Sequence, residues 1–374
     1  MAEGSPPDII EYLELVVERG ASDLHLCAGS TPMMRLHGEL APVSDSVMDA
    51  ETCREMIYSI FTENQRARFE ETWELDFALN VKGIGRFRSN AHYSRGAVEA
   101  TFRHIPDTIP PIDSLGLPPI VKQLCAIEQG LIIITGVTGA GKTTTLAAMV
   151  EEINANRSGV IVSIEDPIEF VFQHKLCRVK QREIGTDTKS FPEALRHVLR
   201  QDPDVILISE MRDLETMSAA LTAAETGHLV LATLHTIDAP SAISRVVDVF
   251  PAEQQNQVIA QLSGSLQAIV AQRLLPRADG TGRVVCSEVM VVNDAIRALM
   301  RDRRFQQVLS MIEIGSRDGM ITFDESVAHL YATGVISREE AMVNVRDPKR
   351  IEAIKPPAAP LLQKVKRGLF GGKG

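Results

Sequence analysis

The sequence has no apolar run near the roughly 20 residues that a membrane-spanning helix requires. It has no basic-then-apolar opening of the signal-peptide kind; its first residues are acidic, and the expectation is a chain that is not exported. It has no Cys-x-x-Cys pair. Five cysteines, Cys27, Cys53, Cys125, Cys177 and Cys286, are scattered singly, which suits a reducing cytoplasm, leaves no zinc ribbon, and makes most of them small core hydrophobes. It also has no surplus of positive charge. A formal net charge of −10, with no basic–aromatic run, argues against nucleic acid as the partner while still allowing a local basic groove. What is present is ordinary globular composition, 44% apolar and 24% charged, over 374 residues, enough for two or three domains.

Patterning changes along the chain. Ile9, Ile10, Leu13, Val16 and Val17 recur at helical spacing and Gly20 is placed to end that helix. Strand-like stretches follow at Asp23–Leu26, Met33–Leu36 and Leu40–Val43, with His37-Gly38 as a turn. Three more follow at Leu75–Val81, Arg86–Tyr93 and Val98–Ile105, broken at Lys82-Gly83 and Arg95-Gly96. One helix and a largely antiparallel sheet define a small α+β domain over 1–105. The stretch 106–119 carries five prolines and reads as a stiff linker. From 120 to 292, strands at Leu131–Thr135, Val160–Ile164, Val205–Ile208 and Leu229–Thr233 alternate with helices. A capping box at Ser190/Glu193 opens one of those helices, and the whole pattern indicates a parallel α/β domain. Residues 293–350 turn helical, with capping boxes at Thr322/Glu325 and Ser337/Glu340. The tail, 351–374, is rich in proline, glycine and lysine and is expected to lack fixed structure. Its cluster Lys364, Lys366 and Arg367, with Leu369 and Phe370, reads as a solvated tail or as a contact for an anionic membrane surface.

Gly136 to Thr143 reads Gly-Val-Thr-Gly-Ala-Gly-Lys-Thr, a full G-x-x-x-x-G-K-T box between a buried strand and a helix. Gly136, Thr138, Gly139, Ala140, Gly141, Lys142, Thr143 and Thr144 are therefore candidate ATP-binding residues. Backbone N–H groups and the positive end of the helix converge on phosphate, Lys142 reaches the β- and γ-phosphates, and the Thr143 hydroxyl ligates Mg²⁺. Strand ends add carboxylates: Glu165 closes one strand and Glu210 follows another. Ser209 stands where many such proteins place the metal-binding aspartate, so Glu210 is expected to serve Mg²⁺ through water or to act on the attacking water. His235, just past a strand end, can sense the γ-phosphate; His228, at the other end, cannot. An ordinary glycine-rich turn, salt-bridge carboxylates and a structural histidine are the bland alternatives.

These stretches resemble the PilT branch of the secretion and type IV pilus traffic ATPases, from Ser22-Asp23-Leu24-His25-Leu26 to about Pro348. The family's Walker A box falls at 136–143, its aspartate box at Ile164–Phe170, its Walker B box at Val205–Asp213 and its histidine box from Gly227-His228 to His235-Thr236. The resemblance implies a homohexamer whose subunits pair a PAS-like N-terminal domain with a RecA-like ATPase domain. It also implies catalytic arginines from the N-terminal domain, which would be Arg86, Arg88, Arg95 and Arg103. Arg86 and Arg88 alternate onto one face of their strand, and a planar guanidinium grips phosphate bidentately; a solvated basic strand face is the alternative. The implied partner is the inner-membrane pilus platform protein, with the ATPase peripheral to the inner face of that membrane and a second retraction ATPase as a further partner. The tetracysteine zinc insertion and longer N-terminal region of assembly ATPases are missing here, which favours retraction. Ala295–Asp302 resembles the retraction motif, with Ala298 and Asp302 in place of asparagine and glutamate, and Ser209 replaces a family glycine. An accessory, PilU-like role is the alternative, followed by another secretion-system traffic ATPase. A DNA-translocating motor, a GTPase (which would want the absent Asn/Thr-Lys-x-Asp motif) and a nucleotide-gated scaffold without turnover are the rivals from other classes.

Overall fold

The computed structural model describes residues 8–36, 39–105 and 108–354. By internal contacts the chain falls into two compact units. One holds the residues up to Ile109 together with Glu165–Gln173 and Gln181–Lys189; the other holds Pro110–Ile164, His174–Lys180 and the chain from Ser190 onward.

The first unit opens with α1 (Ile9–Glu18), capped by the Asp8 carboxylate, which accepts from the Ile10 N–H. Ile9, Leu13 and Val16 fall on one face and are fully buried, so the amphipathic stripe does what its spacing predicts. β1 (Asp23–Leu26), β2 (Met33–Leu36) and β3 (Glu39–Pro42) follow. After α2 (Ala50–Ser59) and α3 (Glu63–Thr72) come β4 (Glu74–Val81), β5 (Gly85–Ser94) and β6 (Ala97–Ile105). The sheet is antiparallel throughout, in the order β3-β2-β1-β6-β5-β4. Alternation on β5 sends Phe87, Ser89 and Ala91 into the core and leaves Arg86, Arg88 and Asn90 on the other face. The expectation of one helix in this unit is corrected: α2 and α3 are also present. α3 buries only Phe69, and its Thr62/Gln65 capping box holds it where no apolar stripe announces it. The expected His37-Gly38 turn lies outside the described residues. The β5–β6 hairpin closes on Arg95 (φ 51°) and Gly96 (φ 83°), two successive left-handed residues whose twist matches that of the strands.

In the second unit the proline-rich stretch forms a one-turn 3₁₀ segment, Ile112–Ser114, before α4 (Pro119–Leu124). Then follow β7 (Gly130–Thr135), α5 (Lys142–Asn156), β8 (Gly159–Glu165), β9 (Cys177–Glu183), α6 (Phe191–Val198), β10 (Val205–Ile208), α7 (Leu214–Glu225) and β11 (Leu229–Leu234), with Glu165 and the Gln181–Glu183 end of β9 counted in the first unit. α8 (Ala239–Asp248) and α9 (Ala252–Ser265) lead to β12 (Leu266–Pro276) and β13 (Arg283–Val291). The seven-stranded sheet runs β13-β12-β7-β11-β10-β8-β9. Neighbours from β12 through β8 pair parallel, and β13 returns antiparallel on β12. Three strands escaped the sequence reading. β12 follows α9 with no turn between Ser265 and Leu266, so no loop signal separates helix from strand. β13 completes that hairpin. β9 mixes Cys177 and Val179 with charged neighbours and reads as polar.

α10 (Asp294–Arg301), α11 (Val308–Ile314), α12 (Phe323–Ala332), α13 (Arg338–Asn344) and α14 (Pro348–Glu352) complete the chain. The Thr322/Glu325 capping box is complete. At Ser190 and Ser337 the hydroxyl accepts the N–H of Glu193 or Glu340, one half of the box. Glu340 bonds the Asn344 carboxamide (2.7 Å) instead of reaching back. Residues 351–354, expected to begin an unstructured tail, finish α14 and its C-cap, and Ile351 is buried. The basic cluster from Lys364 to Phe370 lies outside the described residues.

Candidate active site

All six residues of β7 are buried, and the strand delivers the chain into the glycine-rich loop at its carboxyl end. In this strand order the loop opens beside β11, where the sheet's connections change direction, the place at which parallel sheets bind ligands. Gly136 has φ 149°, and a Cβ there would lie 2.4 Å from the Gln272 carbonyl oxygen, so only glycine lets the chain turn against β12. The Gln272 side chain, buried on β12, donates to the Ala140 carbonyl (2.8 Å) and holds the loop's other shoulder.

Gly141, at φ 85°, is the N-cap of α5 and offers its first-turn amides no side-chain acceptor. α6, α7, α8 and α10 instead use Ser190, Asp213, Asp238 and Asn293 for that purpose. A helix that keeps its amides uncapped behind a glycine loop is built for an anion from outside, because those N–H groups and the helix dipole need a negative partner. Lys142 is buried, with its ammonium donating to the Gly136 (2.7 Å) and Val137 (3.2 Å) carbonyls. Thr138 and Gly139 form the exposed crest, Ala140 is buried, and Thr143 and Thr144 are half-buried on the first helical turn. These residues fit a nucleotide triphosphate with its Mg²⁺.

Two neighbouring strands end in acids. Glu210 lies just beyond β10 and is gripped at both oxygens by Arg212, Nε to Oε1 at 2.6 Å and Nη2 to Oε2 at 2.7 Å; His235 Nε2 stands 2.9 Å from Oε1. Burial pushes the Glu210 carboxyl upward, but the bonds from Arg212 and His235 outweigh it and hold the group below its ordinary range. His235 thus meets Glu210 directly, immediately after β11. The ends of β7 and β11 are joined by the Thr135 hydroxyl, 2.7 Å from both the carbonyl and the hydroxyl of Thr236. His228, at the other end of β11, bonds the Ala223 carbonyl (3.0 Å) and Thr226 (3.2 Å), as a structural histidine does. Glu165 ends β8. It is buried and accepts from the Gln181 carboxamide at 3.0 Å.

Within the first unit the four arginines separate. Arg86 bonds the buried carboxylate of Glu183. Arg88 and Arg103 are cross-strand partners on β5 and β6. Arg88 has Glu169 at 3.9 Å, while Arg103 donates to the buried Asp23 (2.8 Å). Burial alone would raise the Asp23 carboxyl; bonds from Ser22 and Arg103 bring it below the ordinary range. Arg95 stands apart in the exposed hairpin turn, seven residues along β5 from Arg88, and the structure does not bring it to the other three. Sequence reasoning missed the grip of Arg212 on Glu210 and the roles of Gln181, Glu183 and Gln272. A glutamine directly after the apolar run Ala268–Ala271 of β12 was the available signal for Gln272.

The family model for type II/IV secretion system proteins matches residues 118–342. The chain belongs to that family. Among relatives of this secretion family, it is 46% identical over 342 residues to the type IV pilus retraction ATPase PilT of Pseudomonas aeruginosa, covering 91% of this chain and 99% of that one. It is 44% identical over 334 residues to the type IV pilus ATPase PilU of the same organism, covering 89% and 87%. The crystal structure of the pilus retraction motor PilT with bound ADP superimposes with a TM-score of 0.87 at 47% identity, over 93% of this chain and 99% of that one. The ATPase DotB of Legionella pneumophila follows at a TM-score of 0.79 and 26% identity, over 91% and 97%. The chain is a PilT-type ATPase of α/β fold, with an ATPase domain behind an N-terminal domain, and it hydrolyses ATP. No described helix is long and apolar enough to cross a membrane.

Proposed function

We propose that this chain is a hexameric motor that hydrolyses ATP to retract type IV pili and so drive twitching motility. The observation that carries the proposal is the uncapped α5 behind a complete phosphate loop, in a chain similar over nine-tenths of its length to a retraction ATPase. In this reading the loop amides and Lys142 hold the β- and γ-phosphates. Thr143 holds Mg²⁺, which supplies charge neutralisation on the phosphate oxygens. Glu210, with both oxygens already bonded, serves the metal through water. Glu165 takes the proton of the attacking water, and His235 reports the γ-phosphate to Glu210. Arg86, Arg88 and Arg103 supply transition-state charge from the first unit, with Arg95 the remaining candidate. The division at 1–105, 106–119, 120–292 and 293–350 makes the proline-rich stretch a hinge that turns hydrolysis into rigid-body motion. The partner is the pilus platform protein at the inner face of the inner membrane, where the ring is peripheral.

Deleting the gene and scoring motility tests the function: loss of twitching with surplus surface pili is expected, and loss of pili would point to assembly instead. The second reading, an accessory PilU-like motor working beside a second retraction ATPase, is favoured by the 44% identity to PilU and by Ala298 and Asp302 in the retraction motif. It predicts that a second retraction ATPase restores twitching in the deletion strain.

A further inference from the structure

β9 puts two polar residues where an edge strand would ordinarily place apolar ones. Cys177, Val179, Gln181 and Glu183 share a face, and the last two turn it polar. Both reach the same segment, Glu165 to Phe172, which overlaps the aspartate box at Ile164–Phe170. The Gln181 amide nitrogen donates to Glu165 Oε1 (3.0 Å) and to the Phe170 carbonyl (2.8 Å), and its oxygen accepts the Phe172 N–H (2.8 Å). Two residues on, the Glu183 carboxylate accepts the Ile168 N–H (3.0 Å), the Thr186 hydroxyl (3.2 Å) and Arg86. With both amide hydrogens and the oxygen engaged, the Gln181 side chain has one orientation in which all its bonds are made. That orientation aims a neutral donor at a buried carboxylate.

We propose that Gln181 is a positioning residue for hydrolysis, holding the Glu165 carboxylate in the rotamer from which it takes the proton of the attacking water. This rests on the reading of Glu165 as the general base. A neutral carboxamide suits the task. It fixes one carboxylate oxygen without cancelling the negative charge that makes the group a base, which a guanidinium would do. Because the same carboxamide also bonds Phe170 and Phe172, the acid's rotamer is coupled to the path of the whole box. Through Glu183 the strand further ties that box to Arg86.

The test is steady-state and single-turnover ATP hydrolysis by the full chain carrying Gln181→Leu or the near-isosteric Gln181→Glu, each made in the parent and in Glu165→Gln. In the parent, kcat should fall by about tenfold or more with the KM for ATP within about twofold, because misplacing a catalytic group costs turnover and leaves binding. In the Glu165→Gln background the same changes should cost less than about twofold, since a residue acting through that acid has nothing left to position. Parental kcat in the Gln181→Glu variant, or an equal fold-loss in both backgrounds, overturns the inference. Parental turnover by Glu165→Gln alone would instead overturn the base reading on which it rests, so the two failures are distinct.

Discussion

Glu165 ends β8, Glu210 lies just beyond the neighbouring parallel strand β10, and different side chains bond them. Glu165 is buried against a neutral carboxamide; Glu210 is half-buried and gripped by a guanidinium and an imidazole. A carboxylate under cationic bonds is a poor proton acceptor and a good relay, since its charge is already engaged and any change at His235 or Arg212 is felt at its oxygens. A neutral donor such as Gln181 fixes a carboxylate oxygen without placing a positive charge on it. The proposed roles differ accordingly, with Glu210 serving the metal through water and Glu165 taking the proton.

The contrast is broken most directly by neutralising each acid. Glu165→Gln should lower kcat by about 10³-fold, within the range that general bases contribute, and Glu210→Gln by less, about 10²-fold. Steady-state hydrolysis with saturating ATP measures both, and the reverse order would exchange the two roles. A smaller effect separates the anchoring of the Glu210 loop from its chemistry. Asp213 caps α7 by accepting the Thr216 N–H (2.8 Å), so Asp213→Ala should cost about 1 kcal/mol in denaturant unfolding and leave kcat within about threefold. A tenfold loss of kcat would mean the cap is part of the site.

The smallest effect is on stability against pH. The depressed carboxyl of Glu210 contributes stability that is present above the ordinary carboxylate range and is lost as pH falls through its lowered folded value. Arg212→Gln should flatten that acid-side loss. Glu288, buried on β13 and accepting the Ala239 N–H at the start of α8 on one oxygen, has the opposite sign. Burial raises its carboxyl, so its contribution is full below the ordinary range and fades as pH rises through the raised value. Glu288→Gln should remove that fading, and thermal melts from acid to neutral pH would register both.

The phosphate loop and its flanking elements were legible because sequence dictates them locally: glycine where φ is positive, a lysine and a threonine at fixed spacing, a wholly apolar strand before and a helix after. The antiparallel sheet was legible from alternation broken by glycine turns such as Arg95-Gly96. α3 was not, since its stability comes from a capping box and one phenylalanine and not from a stripe. β9 was not, because Gln181 and Glu183 are placed by bonds to a segment 9 to 16 residues away in sequence. The grip of Arg212 on Glu210 was equally hidden: spacing shows that they are near, but not that the guanidinium covers both oxygens.

In the proposed function α5 and its loop hold the terminal phosphates of ATP. Purified Lys142→Ala protein assayed for phosphate release should show hydrolysis reduced to background with the fold intact by circular dichroism. Hydrolysis at the parent rate would contradict the account.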